Sequence, residues 1–154
     1  MADFSAIRSL FSNRNFAIYV CGNSISLIGF WMQRLAISWL TWEVTESVFW
    51  VGAVAFVELA PLLIISPIVG VWADRANRKL LTVLCQSAMM LVSFALFMFI
   101  VFDLISIKVL FIFALLDGIL QATHQPIRLA IIPNLVERKD IVSASSFTAV
   151  VFNV

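Results

Sequence analysis

Long apolar runs constrain this chain more than any other feature of its sequence. Several stretches of about 20 residues are almost free of charge, and only short polar segments separate them. A helix rises about 1.5 Å per residue, so about 20 residues cross the roughly 30 Å hydrocarbon core of a bilayer. The chain is 62% hydrophobic and 12% charged, whereas soluble domains are about 45–50% apolar and 25% charged. We therefore predict an all-α integral membrane protein.

The runs predict four complete transmembrane helices and part of a fifth. The predicted spans cover approximately residues 15–42, 49–72, 80–102 and 109–125, and a truncated fifth span covers residues 141–154. The span at 80–102 is apolar almost throughout, so we expect it to face lipid in part and to carry no site chemistry. Pro126 and Arg128 follow the fourth span, and we assign them to the next inner loop, with the inner end of the helix as the alternative for Arg128.

The basic residues are distributed unevenly between the two ends of the predicted spans. Eight of the ten fall on one side: Arg8, Arg14, Arg75, Arg78, Lys79, Arg128, Arg138 and Lys139. Only Lys108 falls on the other side, and Arg34 lies within a span. Positive charges near span ends stay in the cytoplasm. The pattern predicts a multi-pass protein of the inner (plasma) membrane with a cytoplasmic N-terminus.

A short basic turn joins the second and third spans and carries a recognisable motif. The turn, residues 70–79, resembles the cytoplasmic signature of the major facilitator superfamily, G-x-x-x-D-R-x-G-R-R/K. The matching residues are Gly70, Asp74, Arg75, Arg78 and Lys79. Asn77 stands where the family usually has glycine, and we expect it at positive φ because asparagine tolerates that region well.

Two further phrases are similar to one branch of that superfamily, the branch that contains the enterobactin exporters. The first helix carries Gly22-Asn23-Ser24-Ile25-Ser26-Leu27-Ile28-Gly29 followed by Trp31-Met32-Gln33. The phrase at residues 131–136 is similar to the L-x-P-[DN]-L-V sequence that follows the fourth helix in this branch.

The resemblance implies a twelve-helix transporter built from two six-helix halves. Residues 1–154 would then be an incomplete N-terminal half. The implied activity is alternating-access export of a small molecule, namely a drug, siderophore or metabolite, with the proton as coupling ion. The alternative is a non-transporting truncated membrane protein or an assembly subunit. The expected partners are the lipid bilayer, the substrate and the proton, and no nucleic acid.

The sequence lacks the patterns expected of an enzyme or of a cofactor protein. It has no phosphate-cradling G-x-x-x-x-G-K-[ST], no metal-spaced set of His and Cys residues, and no nucleophile arrangement. We therefore expect no catalytic residue, no metal and no cofactor.

The resemblance gives the motif residues a role as a conformational gate. In the family, the cluster formed by Gly70, Asp74, Arg75, Arg78 and Lys79 is thought to close the inner side while the outer side is open. The alternative is a topology signal that only keeps this loop in the cytoplasm. Both interpretations remain open from the sequence.

Three ionisable residues fall inside predicted spans, namely Arg34, Glu58 and Asp117. A charge near the bilayer centre costs about 2.5–3.5 kcal/mol on insertion scales, so such residues usually face a cavity or a partner. One interpretation is that all three line a central cavity, where they bind a charged group or exchange a proton. The other is an ion pair between Arg34 and Glu58, with Asp117 a polar packing group beside Gly118.

Overall fold

Four long α-helices form the described part of the chain. The computed structural model describes residues 14–73 and 77–131, together with positions 136, 141, 144, 146 and 148. The helices are α1 (Arg14–Thr45), α2 (Val48–Ala73), α3 (Arg78–Val101) and α4 (Ile107–Ile131). Each is long and apolar enough to cross a membrane, and no strand occurs among the described residues. The predicted all-α membrane fold is confirmed.

The chain divides into two compact units, residues 1–32 with 129–154 and residues 33–128. In the first unit, Phe16 and Val20 pack with Ala144 in a small buried cluster. The described positions 141, 144, 146 and 148 are helical, but most of the predicted fifth span lies outside the described residues. The second unit, which we call the four-helix unit, contains the candidate site.

Short loops join α1 to α2 and α3 to α4. The α1–α2 connection is residues 46–47, and Glu46 has a φ of 48°. The α3–α4 connection is residues 102–106, and Asp103 has a φ of 55°. A single left-handed residue commonly ends a helix. Trp50 contacts Phe111 and Ser66 bonds to Ala122, so the contacts follow the same order along both helices and α2 runs parallel to α4.

Asn77 corrects one expectation about the basic turn. Its φ is −71° and its ψ is 98°, so the backbone is extended and the predicted positive φ is wrong. Its side-chain oxygen accepts a hydrogen bond from the backbone N–H of Leu80 at 3.3 Å. Because α3 begins at Arg78, Asn77 is the N-cap residue, a position at which asparagine satisfies a free N–H of the first turn.

The fourth helix is longer than its predicted span and corrects the loop assignment that followed it. Helix α4 continues through Pro126 to Ile131, so Pro126 and Arg128 lie in the helix and not in a loop. Proline lacks an N–H, which leaves the carbonyl four residues earlier without its helical donor. Here that carbonyl belongs to Ala122, and the Ser66 hydroxyl of α2 donates to it at 3.0 Å. A neighbouring helix thus replaces the hydrogen bond that the proline removes.

Helices α2 and α4 approach each other closely at Gly118. A Cβ built on Gly118 would overlap the carbonyl oxygen of Glu58 and lie 2.9 Å from its carbonyl carbon. The contact is backbone against backbone, so no flexible side chain could move aside. Small residues permit this approach between membrane helices, and glycine is required at this position.

Two apolar clusters fill the four-helix unit at different depths. Toward the α1–α2 and α3–α4 loops, one buried cluster takes residues from all four helices: Ile37, Val54, Leu96, Phe113 and Ala114. Toward the opposite ends of the helices, Cys85 of α3 and Ile127 of α4 pack with Val69 of α2. Helix α4 is the most enclosed, since 39% of its most apolar stretch is buried against 11% for α3.

The bond from Ser66 to Ala122 gives a double-mutant test of the packing between α2 and α4. Ser66→Ala should lower the free energy of unfolding by about 1 kcal/mol because the Ala122 carbonyl loses its donor. In a Pro126→Ala background the restored N–H supplies that donor, so Ser66→Ala should have a smaller effect. Denaturation in mixed detergent micelles measures the four stabilities.

Thr123→Val is the matched control for this cycle. The Thr123 hydroxyl also donates to a helix carbonyl, that of Ile119 at 2.8 Å, but that carbonyl keeps its own helical N–H. This variant should show no coupling to Pro126→Ala. Additive effects of Ser66→Ala and Pro126→Ala would contradict the assigned hydrogen bond.

Candidate functional site

A polar layer lies between the two apolar clusters of the four-helix unit. All four helices contribute to it, through Gln33, Arg34, Glu58, Ser93 and Asp117. Glu58 and Asp117 each follow the start of their helix by ten residues, a depth of about 15 Å. That depth is close to the middle of a hydrocarbon core about 30 Å thick.

Arg34 and Glu58 form an ion pair between α1 and α2. The Arg34 Nε atom lies 3.4 Å from Glu58 Oε1. The Glu58 side chain is 7% exposed, whereas that of Arg34 is 26% exposed. The geometry matches the ion-pair interpretation made from sequence. Part of the Arg34 side chain remains exposed, and a cavity-lining role for the pair stays a prediction.

Asp117 has a partner on another helix. The Gln33 side-chain amide of α1 donates from Nε2 to Asp117 Oδ2 at 2.5 Å. Asp117 is 8% exposed. It lies beside Gly118, where the backbone of α4 touches the backbone of α2. Asp117 is therefore a hydrogen-bonded acid at a helix crossing, and its predicted place in a substrate or proton pathway stays a prediction.

Gln33 also contacts the third helix, and sequence reasoning missed both residues of this contact. The Ser93 hydroxyl of α3 donates to Gln33 Oε1, and it lies 3.0 Å from the carbonyl oxygen of Met89 one turn earlier. The third span thus contributes a polar side chain to the layer, and the expectation that it carries no site chemistry stays a prediction. The available signal was the amide of Gln33, which needs partners when it lies within hydrocarbon.

Burial changes steadily across the polar layer. Glu58 and Asp117 are buried, Gln33 and Arg34 are partly exposed, and Ser93 is exposed on the surface of the four-helix unit. A line of hydrogen bonds thus runs from an exposed hydroxyl to a buried acid. Such an arrangement can hold a polar ligand at its exposed end and can take up or release a proton at its buried end. Within the described ranges, no three His, Cys, Asp or Glu side chains are grouped as a metal site requires.

The gate residues lie apart from the polar layer. Gly70 is in the last part of α2, twelve residues or about 18 Å beyond Glu58, and Arg78 and Lys79 begin α3. Asp74 and Arg75 lie outside the described residues. The gating role of the cluster stays a prediction.

The ion pair gives a stability test. Arg34→Met should destabilise the protein by up to about 3 kcal/mol, because the buried carboxylate of Glu58 loses its counter-charge. The double variant Arg34→Met with Glu58→Gln removes both charges and should recover part of that loss. Denaturation in detergent micelles measures both variants.

Lys108→Met is the control, since it removes a basic residue that is exposed at the start of α4. It should change stability by no more than a few tenths of a kcal/mol. A double variant less stable than Arg34→Met alone would contradict the pairing.

A known transporter is similar to most of this chain. A protein from Staphylococcus aureus (strain NCTC 8325 / PS 47) described as a staphyloferrin A transporter is 29% identical over 128 residues. The alignment covers 82% of this chain and 32% of that protein, so the chain spans about a third of the length of this curated relative. No solved structure matches the chain.

The family comparison covers nearly the whole chain. The family described as transmembrane secretion effector, a branch of the major facilitator superfamily, matches residues 5–154. The match includes the basic turn and all four helices, and it confirms the resemblance seen in the sequence. This chain belongs to the transmembrane secretion effector family of the major facilitator superfamily.

Proposed function

We propose that this chain forms part of the transport path of a proton-coupled exporter that moves a small molecule by alternating access. The observation that carries the proposal is the polar layer, in which two buried acids and their partners tie four helices together at mid-membrane depth. Ionisable groups within a membrane are costly and typically mark substrate or ion pathways. Secondary transporters bind their substrates and coupling ions at this depth.

Siderophores are the first substrate class to test. The staphyloferrin A transporter is the relative that supports this choice, and drugs and other metabolites are the further candidates. We place the protein in the plasma membrane with its N-terminus in the cytoplasm, a proposal supported by the basic residues of the predicted inner loops.

In the proposed cycle, Asp117 carries the coupling proton and the ion pair of Arg34 and Glu58 responds to the substrate. Protonation of Asp117 removes a buried negative charge near Glu58 and so changes the electrostatic balance of the layer. A charged substrate that competes for Arg34 would loosen the bond between α1 and α2. The two events together would favour one of the two access states over the other.

The basic turn would act at the inner side of the membrane. Asp74 can accept hydrogen bonds from an arginine or from a helix N-terminus across the inner closure, while Arg78 and Lys79 supply positive charge at the start of α3. Such contacts form when the inner side closes and break when it opens. The gate would thereby stabilise the outward-open state.

Asp117→Asn tests the proton role. Asparagine keeps the size of the side chain but cannot ionise, so transport driven by a pH gradient should fall about tenfold or more, an effect of about 1.4 kcal/mol or more. The initial rate is measured in everted membrane vesicles from cells that express the protein from its own gene, as uptake of a labelled siderophore from the medium into the lumen under an imposed pH gradient. Glu43→Gln, an exposed acid near the end of α1, is the control and should keep the wild-type rate. A wild-type dependence on the gradient in Asp117→Asn would refute the assignment.

Asp74→Asn tests the gate. The variant should insert into the membrane normally but lose most transport activity, because an amide gives the inner closure a weaker acceptor than a carboxylate does. Initial rates in the same vesicles, normalised to the amount of inserted protein, measure the effect. Asp103→Asn, the same substitution in the α3–α4 loop, should leave the rate unchanged. Normal transport by Asp74→Asn would contradict the proposed gating role.

A further inference from the structure

The hydrogen bonds around Gln33 form a set that can be satisfied in two ways. We propose that Gln33 is a positioning residue whose side-chain amide adopts one orientation when Asp117 is ionised and the opposite one when Asp117 is protonated. The inference deepens the proposed function and rests on it, because it assigns the contact that communicates the protonation state of Asp117 to α1 and α3.

The described geometry corresponds to the ionised state. An ionised carboxylate only accepts hydrogen bonds, so the NH₂ group of Gln33 must face it, as Nε2 faces Oδ2. The amide oxygen then points the other way and accepts from the Ser93 hydroxyl. Each of these groups has a partner of the correct kind.

Protonation of Oδ2, the oxygen of Asp117 that faces Gln33, reverses the requirement at this contact. That oxygen gains one proton from the solvent, and its new O–H bond needs an acceptor in place of the donor that it faced before. A half-turn of the amide about its last torsion exchanges Oε1 and Nε2, which are nearly identical in size. Oε1 of Gln33 then accepts from Asp117, and Nε2 donates to the Ser93 oxygen.

Ser93 makes the second orientation possible. Its single hydroxyl proton lies within reach of two acceptors, Gln33 Oε1 and the Met89 carbonyl oxygen at 3.0 Å. When the amide presents NH₂, the hydroxyl turns to Met89 and its oxygen accepts from Gln33. Each of these contacts therefore pairs one donor with one acceptor in both states, as a stable polar network requires.

The charged groups around the network are few and are identified by the structure. Arg34 of α1 and Glu58 of α2 form the adjacent ion pair, and Glu58 lies close enough to interact electrostatically with Asp117. Helix α3 carries charge only at its inner start, on Arg78 and Lys79. On α4, His124 and Arg128 lie seven and eleven residues beyond Asp117 toward the inner end.

Infrared difference spectroscopy of the protein in liposomes, titrated with acid, tests the proposal directly. The Asp117 carboxylic acid band is identified by its loss in Asp117→Asn. In the wild type, this band should show a hydrogen-bonded frequency and should grow together with a change in a glutamine side-chain amide band. Gln33→Leu should abolish the amide change and shift the acid band to the higher frequency of a carbonyl whose O–H has no partner.

Ser93→Ala is the second variant and makes a milder change. It should keep the acid band and reduce the amide change, because the turned NH₂ group loses its acceptor. Ser26→Ala is the matched control, since that hydroxyl donates only to the Gly22 carbonyl of its own helix at 3.1 Å, and it should match the wild type. An acid band at the same frequency in Gln33→Leu and the wild type, or an amide band that does not respond to acid, overturns the proposal.

The spectroscopic result separates this proposal from the proposed function. A coupled change of the acid and amide bands in a protein whose transport ignores the pH gradient would support the amide switch and refute proton-coupled export. Gradient-driven transport without the coupled bands would support export and refute the switch.

Discussion

Every polar group placed in hydrocarbon must find its partner within the protein, and this requirement shapes the four-helix unit. Water is absent there, and an unpaired group costs several kcal/mol. The unit meets the requirement with side chains that cross between helices: Gln33 to Asp117, Arg34 to Glu58, and Ser66 to the carbonyl of Ala122. These bonds join α1, α2 and α4, and the apolar clusters pack on either side of the polar layer.

Helix α4 shows how neighbours compensate for unfavourable residues. It holds a buried acid and a proline, both unfavourable features for a membrane helix considered alone. Each has its compensation on a neighbour, Gln33 for Asp117 and Ser66 for Pro126. The features that would weaken α4 in isolation are therefore stabilised by its contacts with α1 and α2.

Sequence predicted the four complete spans, the ionisable residues Arg34, Glu58 and Asp117 within them, and the family. Run length and charge depend on single residues and their neighbours, so they can be obtained from one chain. The hydrogen-bond partners of the polar side chains could not be predicted in this way, because they lie on other helices. Gln33 and Ser93 are 60 residues apart and meet only in the fold, and the extension of α4 past Pro126 depends on Ser66 of another helix. The glycine that the family usually has at this position led us to expect a positive φ for Asn77. Because α3 begins at Arg78, Asn77 is instead the N-cap residue with an extended backbone.

The contact at Gly118 has a mechanical meaning beyond packing. Where the backbones of two helices touch, no side chain lies between them to change rotamer and absorb a sliding motion, and packed interiors deform in discrete steps. Helices α2 and α4 should therefore move as one rigid body at this level. Glu58 and Asp117 would then keep a fixed separation through any conformational cycle. The two acids would act as one electrostatic pair, so a change of charge on one would be felt by the other in every state of the protein.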